Sequence, residues 1–149
     1  MLSDLIRRLT ATDPAPLPYD DARLALAALL VRIARTDGDY AAVEKAQIDR
    51  VLSHRYALSD SGARDLRAEA EALEAEAPDT VRFTRAIKDC VPYEDRVQVI
   101  EALWFIVLAD GTRDHEEDAL LRMIAPMLGV NDRDSNLARK RVEDAHYRD

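Results

Sequence analysis

The chain has 149 residues, 48% of them hydrophobic, with 29 acidic and 21 basic side chains and a formal net charge of −8. This composition fits one folded domain and excludes a disordered chain. No apolar run reaches the roughly 18–20 residues that a membrane span needs. The acidic balance argues against a nucleic-acid partner, since such proteins present a basic face. With one cysteine, Cys90, and no signal-peptide pattern, we expect a cytoplasmic protein without disulfides.

The sequence predicts an all-α fold, because Ala, Leu, Arg and Glu dominate and only four glycines occur. Residues 1–19 read as a short amphipathic helix (3–9) followed by a proline-rich arm. The helical domain then fills residues 20–149. Its predicted helices cover residues 20–36, 40–56, 60–76, 78–90, 92–109, 113–128 and 133–147. Pro78 and Pro92 are predicted to open helices, and Pro126 to kink or end one.

Two of these helices are apolar almost all the way round, over residues 22–34 and 97–108. A helix without a polar face is normally buried on every side. We therefore predict that these two helices cross at the centre, with Trp104 and Phe105 in the core. The stripe of Ala63, Leu66, Ala70, Leu73 and Ala77 indicates an outer wall, with a coiled-coil dimer seam as the alternative.

An internal repeat appears when the chain is shifted by 73 residues, which aligns residues 21–52 with 94–125. Both copies contain an apolar helix that ends in Asp-Gly and a glutamate six residues after the glycine. The sequence therefore predicts two helical hairpins, related by a pseudo-twofold axis, around the two buried central helices. The identical pairs are Arg23/Arg96, Leu30/Leu103, Ile33/Ile106, Asp37/Asp110, Gly38/Gly111, Glu44/Glu117 and Ala46/Ala119.

Each Asp-Gly turn has two interpretations. In the structural one, the glycine closes the preceding helix, and Asp39 or Asp114 caps the next. Asp114 and Glu117 also have the spacing of a capping box. In the functional one, the twofold brings the carboxylates together, and hard cations such as Ca²⁺ or Mg²⁺ take ligands of this kind. The carboxylates concerned are Asp37, Asp39 and Glu44 in the first copy and Asp110, Asp114, Glu116, Glu117 and Asp118 in the second.

Neither turn matches an EF-hand, because the glycine at the sixth loop position and the glutamate at the twelfth are both missing. His115 with Asp114 and Glu117 would be the alternative transition-metal site, which we rank below a Ca²⁺ or Mg²⁺ site. An acidic patch that docks a basic partner is equally compatible with the turns.

The doubled signature, Asp37-Gly38 with Glu44 and Asp110-Gly111 with Glu117, resembles the TerB-like proteins of bacterial tellurite resistance. The resemblance covers roughly residues 20–145. The N-terminal domain of DjlA-type membrane co-chaperones is similar too. Membership implies an all-α fold with an internal pseudo-twofold, and an acidic cluster suspected of binding a metal ion or a cationic partner. Ala41 stands where the second copy has Asp114, so the implied site is lopsided.

From these features we expect a non-enzymatic stress-response module that binds a divalent cation. The alternative is a protein-interaction adaptor with an acidic docking surface and no metal. A hydrolase that uses the same carboxylates is a weaker third option. We expect a basic or membrane-associated protein partner, no membrane insertion, and a monomer or weak homodimer. Tellurite itself is an oxyanion, which acidic turns should repel.

Overall fold

The computed structural model describes residues 19–36, 40–76, 80–108 and 115–148, with side chains for residues 22–36, 40–76, 80–108 and 119–145. The described residues form helices and no strand, which confirms the all-α prediction. None of these helices has the length and apolarity needed to cross a membrane. The helices are α1 (Tyr19–Arg35), α2 (Ala42–Tyr56), α3 (Asp60–Glu76), α4 (Val81–Cys90), α5 (Tyr93–Leu108), α6 (His115–Met127) and α7 (Asp132–Arg148).

Helix α1 is the centre of the molecule. It is buried almost all the way round, as its apolar sequence predicts, and it packs against α2, α3, α4, α5 and α6. For α5 the same prediction is only partly right. One side of α5 is buried with Trp104, but Val97, Ala102 and Phe105 are half-buried, so Phe105 is not the full core residue that we expected.

The repeat extends over three helices in each copy, one more than the predicted hairpin. The helices begin at residues 19, 42 and 60 in the first copy and at residues 93, 115 and 132 in the second, close to the offset of 73. The contacts repeat as well: α1 packs on α2 and α3 as α5 packs on α6 and α7, and α1 contacts α6 as α5 contacts α2. Helix α4 lies between the copies in sequence. The pseudo-twofold geometry itself stays a prediction.

The identical pair Arg23/Arg96 has a packing role. The Arg23 guanidinium lies 5.5 Å from the ring centre of Tyr56, the last residue of α2. In the second copy, Arg96 approaches Gly129, just after α6, and its NH1 would lie 3.6 Å from a Cβ on that glycine. A cation is favourable beside the negative end of a helix dipole. In both copies, therefore, the start of the first helix lies beside the end of the second, and the two helices run antiparallel.

Helix α6 ends at a glycine rather than at its proline. Pro126 lies within the last turn, and the helix continues to Met127. Gly129 then takes a left-handed conformation with φ 74°. The backbone N–H groups of Gly129 and Val130 donate to the carbonyls of Pro126 and Ala125, both at 2.9 Å, which is the Schellman pattern. The helix thus ends one residue after Pro126, close to the predicted end at residue 128, and the alternative that Pro126 kinks the helix stays a prediction. The predicted opening of α4 at Pro78 lies outside the described residues.

Helix α2 ends in the same left-handed conformation without a glycine. Ala57 has φ 53°, and its N–H donates to the carbonyl of Ser53. A side chain with a Cβ is strained there, at a cost of about 1 kcal/mol. The two helix ends therefore form a natural pair for comparison.

We expect Ala57→Gly to raise the free energy of unfolding by about 0.5–1 kcal/mol, and Gly129→Ala to lower it by about 1 kcal/mol, because the left-handed strain is removed in one and introduced in the other. Urea denaturation of both variants measures the two changes. Gly62→Ala within α3 is the control, since the backbone of Gly62 is helical. If both substitutions, at residue 57 and at residue 129, changed the free energy of unfolding in the same direction, left-handed strain would not explain the two helix ends.

Candidate functional site

Of the six residues predicted as metal ligands, only Glu44 has a described side chain. Asp37, Asp39, Asp110 and Asp114 lie outside the described residues, as does the side chain of Glu117. The backbone still fixes one relation between the copies. Helix α2 begins at Ala42 and α6 at His115, so Glu44 and Glu117 are each the third residue of the helix that follows an acidic turn.

Glu44 caps its own helix. Its Oε2 accepts a hydrogen bond of 2.6 Å from the backbone N–H of Ala41, the residue in the N-cap position. The alanine side chain has no oxygen to return the bond, so this is half of a capping box. The cap of α2 is therefore Ala41, not Asp39 as one interpretation expected. A carboxylate has about four acceptor sites, so this hydrogen bond orients Glu44 and is compatible with a cation ligand.

Basic side chains surround the residue that follows the first turn. The Arg35 guanidinium and the Lys45 ammonium lie 4.9 Å and 5.0 Å from the ring centre of Tyr40, both within cation–π range. Arg35 ends α1 and Lys45 belongs to the first turn of α2, so Tyr40 connects the two helices that flank the turn. Sequence reasoning missed this cluster, because a cation–π contact depends on how the helices meet.

An ion-pair cluster fixes the end of α1 against α3. Glu74 accepts hydrogen bonds from Arg32 at 3.1 Å and from Arg35 at 2.6 Å, and only 12% of its side chain is exposed. Arg32 also donates to the main-chain carbonyl of Glu74 and lies over the ring of Phe83 on α4. The last turn of α1 is thereby held in place immediately before the first acidic turn.

The hydroxyl of Tyr40 reaches a second ion-pair cluster, between α2 and α3. Arg67 contacts Asp49 at 2.6 Å and Glu71 at 3.2 Å. The Tyr40 oxygen is buried near this cluster, without a hydrogen bond of good geometry to the residues that the structure describes. Burial, together with the neighbouring Glu71 carboxylate, raises the pKa of Tyr40 above its usual range. Tyr40 thus stays neutral and links the first turn to α3.

One contact relates the two hairpins to each other. NH2 of Arg55, near the end of α2, donates to the carbonyl of Asp95, near the start of α5, at 3.4 Å. Because each hairpin is antiparallel, both of these groups belong to the end of the hairpin opposite its acidic turn. The contact therefore joins the open ends of the two hairpins.

Helix α7 is fixed to α5 by polar contacts. Trp104 Nε1 donates to Ser135 Oγ at 3.3 Å, Tyr93 donates to Asp134 at 2.5 Å, and Arg141 pairs with Glu101.

Two other residues that the sequence analysis considered lie away from the first turn: His54 is exposed near the end of α2, and Cys90 is half-buried at the end of α4. Within the described ranges, no group of three or more His, Cys, Asp or Glu side chains could hold a metal ion.

The cap predicts how Glu44 variants differ. Glu44→Ala should lower the free energy of unfolding by about 1 kcal/mol, because Ala41 loses its hydrogen-bond acceptor. Glu44→Gln keeps an acceptor oxygen and should retain most of the stability. Thermal and urea denaturation of both variants test this, and equal losses in the two would contradict the cap.

Removal of the Glu74 carboxylate should lower the free energy of unfolding more than removal of an exposed carboxylate. Glu74→Gln removes the negative charge that pairs with the partly buried Arg32 and Arg35, so we expect the free energy of unfolding to fall by about 1–3 kcal/mol. Glu143→Gln is the matched control, because the Glu143 side chain is 38% exposed and 3.7 Å from Arg139. Its loss should stay below about 0.5 kcal/mol. Similar losses, measured by urea denaturation, would overturn this ranking.

Comparison with known proteins identifies the family. The family model described as "Tellurite resistance protein TerB" matches residues 23–140, which is 118 of the 149 residues. The match runs from the first turns of α1 into α7 and includes both Asp-Gly turns. No curated protein and no solved structure matches the chain significantly. The similarity to DjlA-type co-chaperones stays a prediction. The chain belongs to the tellurite resistance protein TerB family.

Proposed function

We propose that the protein is a non-enzymatic module of the tellurite-resistance type that binds one divalent cation between its two acidic turns. Asp37 and Glu44 of the first copy and Asp110 and Glu117 of the second would supply the principal ligands. Asp39 and Asp114 would add further oxygens. An all-carboxylate donor set suits a hard cation, so Ca²⁺ or Mg²⁺ is preferred over Zn²⁺.

The contact between Arg55 and the Asp95 carbonyl carries this proposal. Two antiparallel hairpins that meet at their open ends have both turns at the opposite end, provided that they lie roughly side by side. The reciprocal contacts of α1 with α6 and of α2 with α5 support such an arrangement. Carboxylates brought together in this way repel one another unless a cation neutralises them.

The two acidic turns would contribute unequally to cation binding. In the first copy, Arg35 and Lys45 lie close to the turn, on either side of it in sequence. Their counterparts at the offset of 73 are Leu108 and Asp118, and the second turn has one basic residue of its own, Arg113. Residues 108–118 contain five carboxylates and one arginine, whereas residues 35–45 contain three carboxylates with Arg35 and Lys45. A nearby positive charge weakens cation binding, and Asp114 adds a carboxylate where the first copy has Ala41. We therefore propose that the ion lies closer to the second turn.

An adaptor without metal is the second candidate, and the Glu44 cap favours it, since that glutamate already has a structural role. In this alternative the turns only end and begin helices. The acidic surface, with the net charge of −8, would then recruit a basic or membrane-associated protein to a monomer or weak homodimer.

Calorimetric titration of Ca²⁺, Mg²⁺, Mn²⁺ and Zn²⁺ into chelator-treated protein tests the proposal. We expect binding of Ca²⁺ or Mg²⁺ with one ion per chain, abolished in the Asp37→Asn/Asp110→Asn double variant. Asp110→Asn alone should weaken binding more than Asp37→Asn alone, because Arg35 and Lys45 lie beside the first turn. The double variant Asp65→Asn/Asp95→Asn is the matched control, as it removes the same charge at exposed positions outside the turns.

Absence of heat with all four ions would refute the cation site and leave the adaptor. Equal weakening by the control variant would show that the ion responds only to net charge. Glu44→Gln separates the two roles of Glu44: it keeps an acceptor for the cap, so a loss of binding without a loss of stability assigns Glu44 to the ion.

A further inference from the structure

The two central helices differ in how completely one face is buried. On α1, Leu24, Ala25 and Leu29 are at most 6% exposed. Their counterparts on α5 at the offset of 73 are Val97, Gln98 and Ala102, of which the first and last are half-buried and Gln98 is exposed. Apart from the contacts of α4, the two copies share their helix contacts.

Helix α4 packs on α1 far more extensively than on α5. It packs along α1, and its Phe83 ring lies 5.4 Å from the guanidinium carbon of Arg32. The buried residues of α4 include Phe83, Ala86 and Ile87, and the half-buried Cys90 continues the same stripe. In sequence α4 directly precedes the second copy, yet it packs mainly on the first helix of the other copy. The counterpart of Arg32 on α5 is Phe105, which is half-buried.

We propose that the N-terminal segment, residues 1–18, covers α5 as α4 covers α1. The segment precedes the first copy as α4 precedes the second, and a twofold relation sends it to the first helix of the opposite copy, α5. Its apolar residues Leu2, Leu5, Ile6 and Leu9 have the spacing of Phe83, Ala86, Ile87 and Cys90. That spacing, i, i+3, i+4 and i+7, gives one helical stripe.

The connection is long enough for this contact. Residues 10–18 contain Pro14, Pro16 and Pro18, and nine residues in the polyproline conformation span about 28 Å. Helix α5 has 16 residues and is therefore about 24 Å long. Packed helices such as α1 and α5 have axes about 8–10 Å apart. The segment can thus reach any part of α5 from the start of α1.

Charge complementarity supports the same occupant. Arg7 and Arg8 lie between the apolar residues of the segment, on its polar side. Glu94 and Asp95 are exposed in the first turn of α5. Half-buried Val97 and Ala102 next to these exposed carboxylates fit an amphipathic segment with two arginines.

Paramagnetic NMR on the full chain tests this docking. A spin label is attached through Ser3→Cys in a Cys90→Ala background, and methyl and aromatic signals of α5 are recorded. We expect loss of signal intensity at Val97 and Phe105, and none at Ile48, which faces the core on α2. Leu5→Asp/Ile6→Asp should restore these signals, whereas the control Asp4→Asn, on the polar side, should leave the loss unchanged.

Signal loss that is independent of protein concentration and absent from a mixture of spin-labelled and isotope-labelled chains supports docking within one chain. Loss that appears in the mixture would overturn the proposal and assign the α5 face to a second copy. Unchanged α5 signals, with circular dichroism showing an intact fold, would overturn it as well. The outcome is independent of the cation proposal, because no turn residue is altered.

Discussion

The burial of α1 on almost every side is the constraint on which the rest of the structure depends. A helix with leucine, isoleucine, valine and alanine around most of its circumference gains stability only when other helices surround it, at about 25 cal/mol for each Å² of apolar surface removed from water. Helices α2, α3, α4, α5 and α6 all contact α1, and they come from both copies of the repeat. The core therefore belongs to the whole domain, because the helices of one copy are too few to bury α1 without those of the other.

Polar contacts then fix the positions of helices that apolar burial leaves free to slide. Glu74 holds the end of α1, Arg67 joins α2 to α3, and Trp104 and Tyr93 hold α7. At the opposite ends of the hairpins, arginines 23 and 96 occupy matching positions next to helix C-termini. The identical pair that marks the repeat in sequence thus occupies equivalent places in the two copies, where a cation is favourable beside the negative end of a helix dipole.

The sequence was informative wherever a local pattern decided the structure. Helix order and most boundaries followed from apolar periodicity and from punctuation by Asp-Gly and proline. The left-handed Ala57 was not predictable, because alanine carries no signal for that conformation. The Tyr40 cluster also escaped prediction, since Arg35 and Lys45 read as ordinary helix charges until tertiary packing brings them to one ring. For the same reason, half-burial of α5 could not be foreseen from its apolar composition.

The departures from the repeat are as informative as its symmetry. A duplicated scaffold gives the two copies equivalent helix ends. A position at which the copies differ in charge or in burial therefore marks a local difference in their surroundings. The first turn is flanked by Arg35 and Lys45, whereas the same positions in the second copy hold Leu108 and Asp118. The second turn also has a carboxylate at Asp114, where the first has Ala41. On the central helices, Leu24 and Leu29 of α1 are buried, whereas their counterparts Val97 and Ala102 of α5 are half-buried. Both asymmetries alter the surface that each copy presents, while the order of the helices is the same and their ends are equivalent in the two copies.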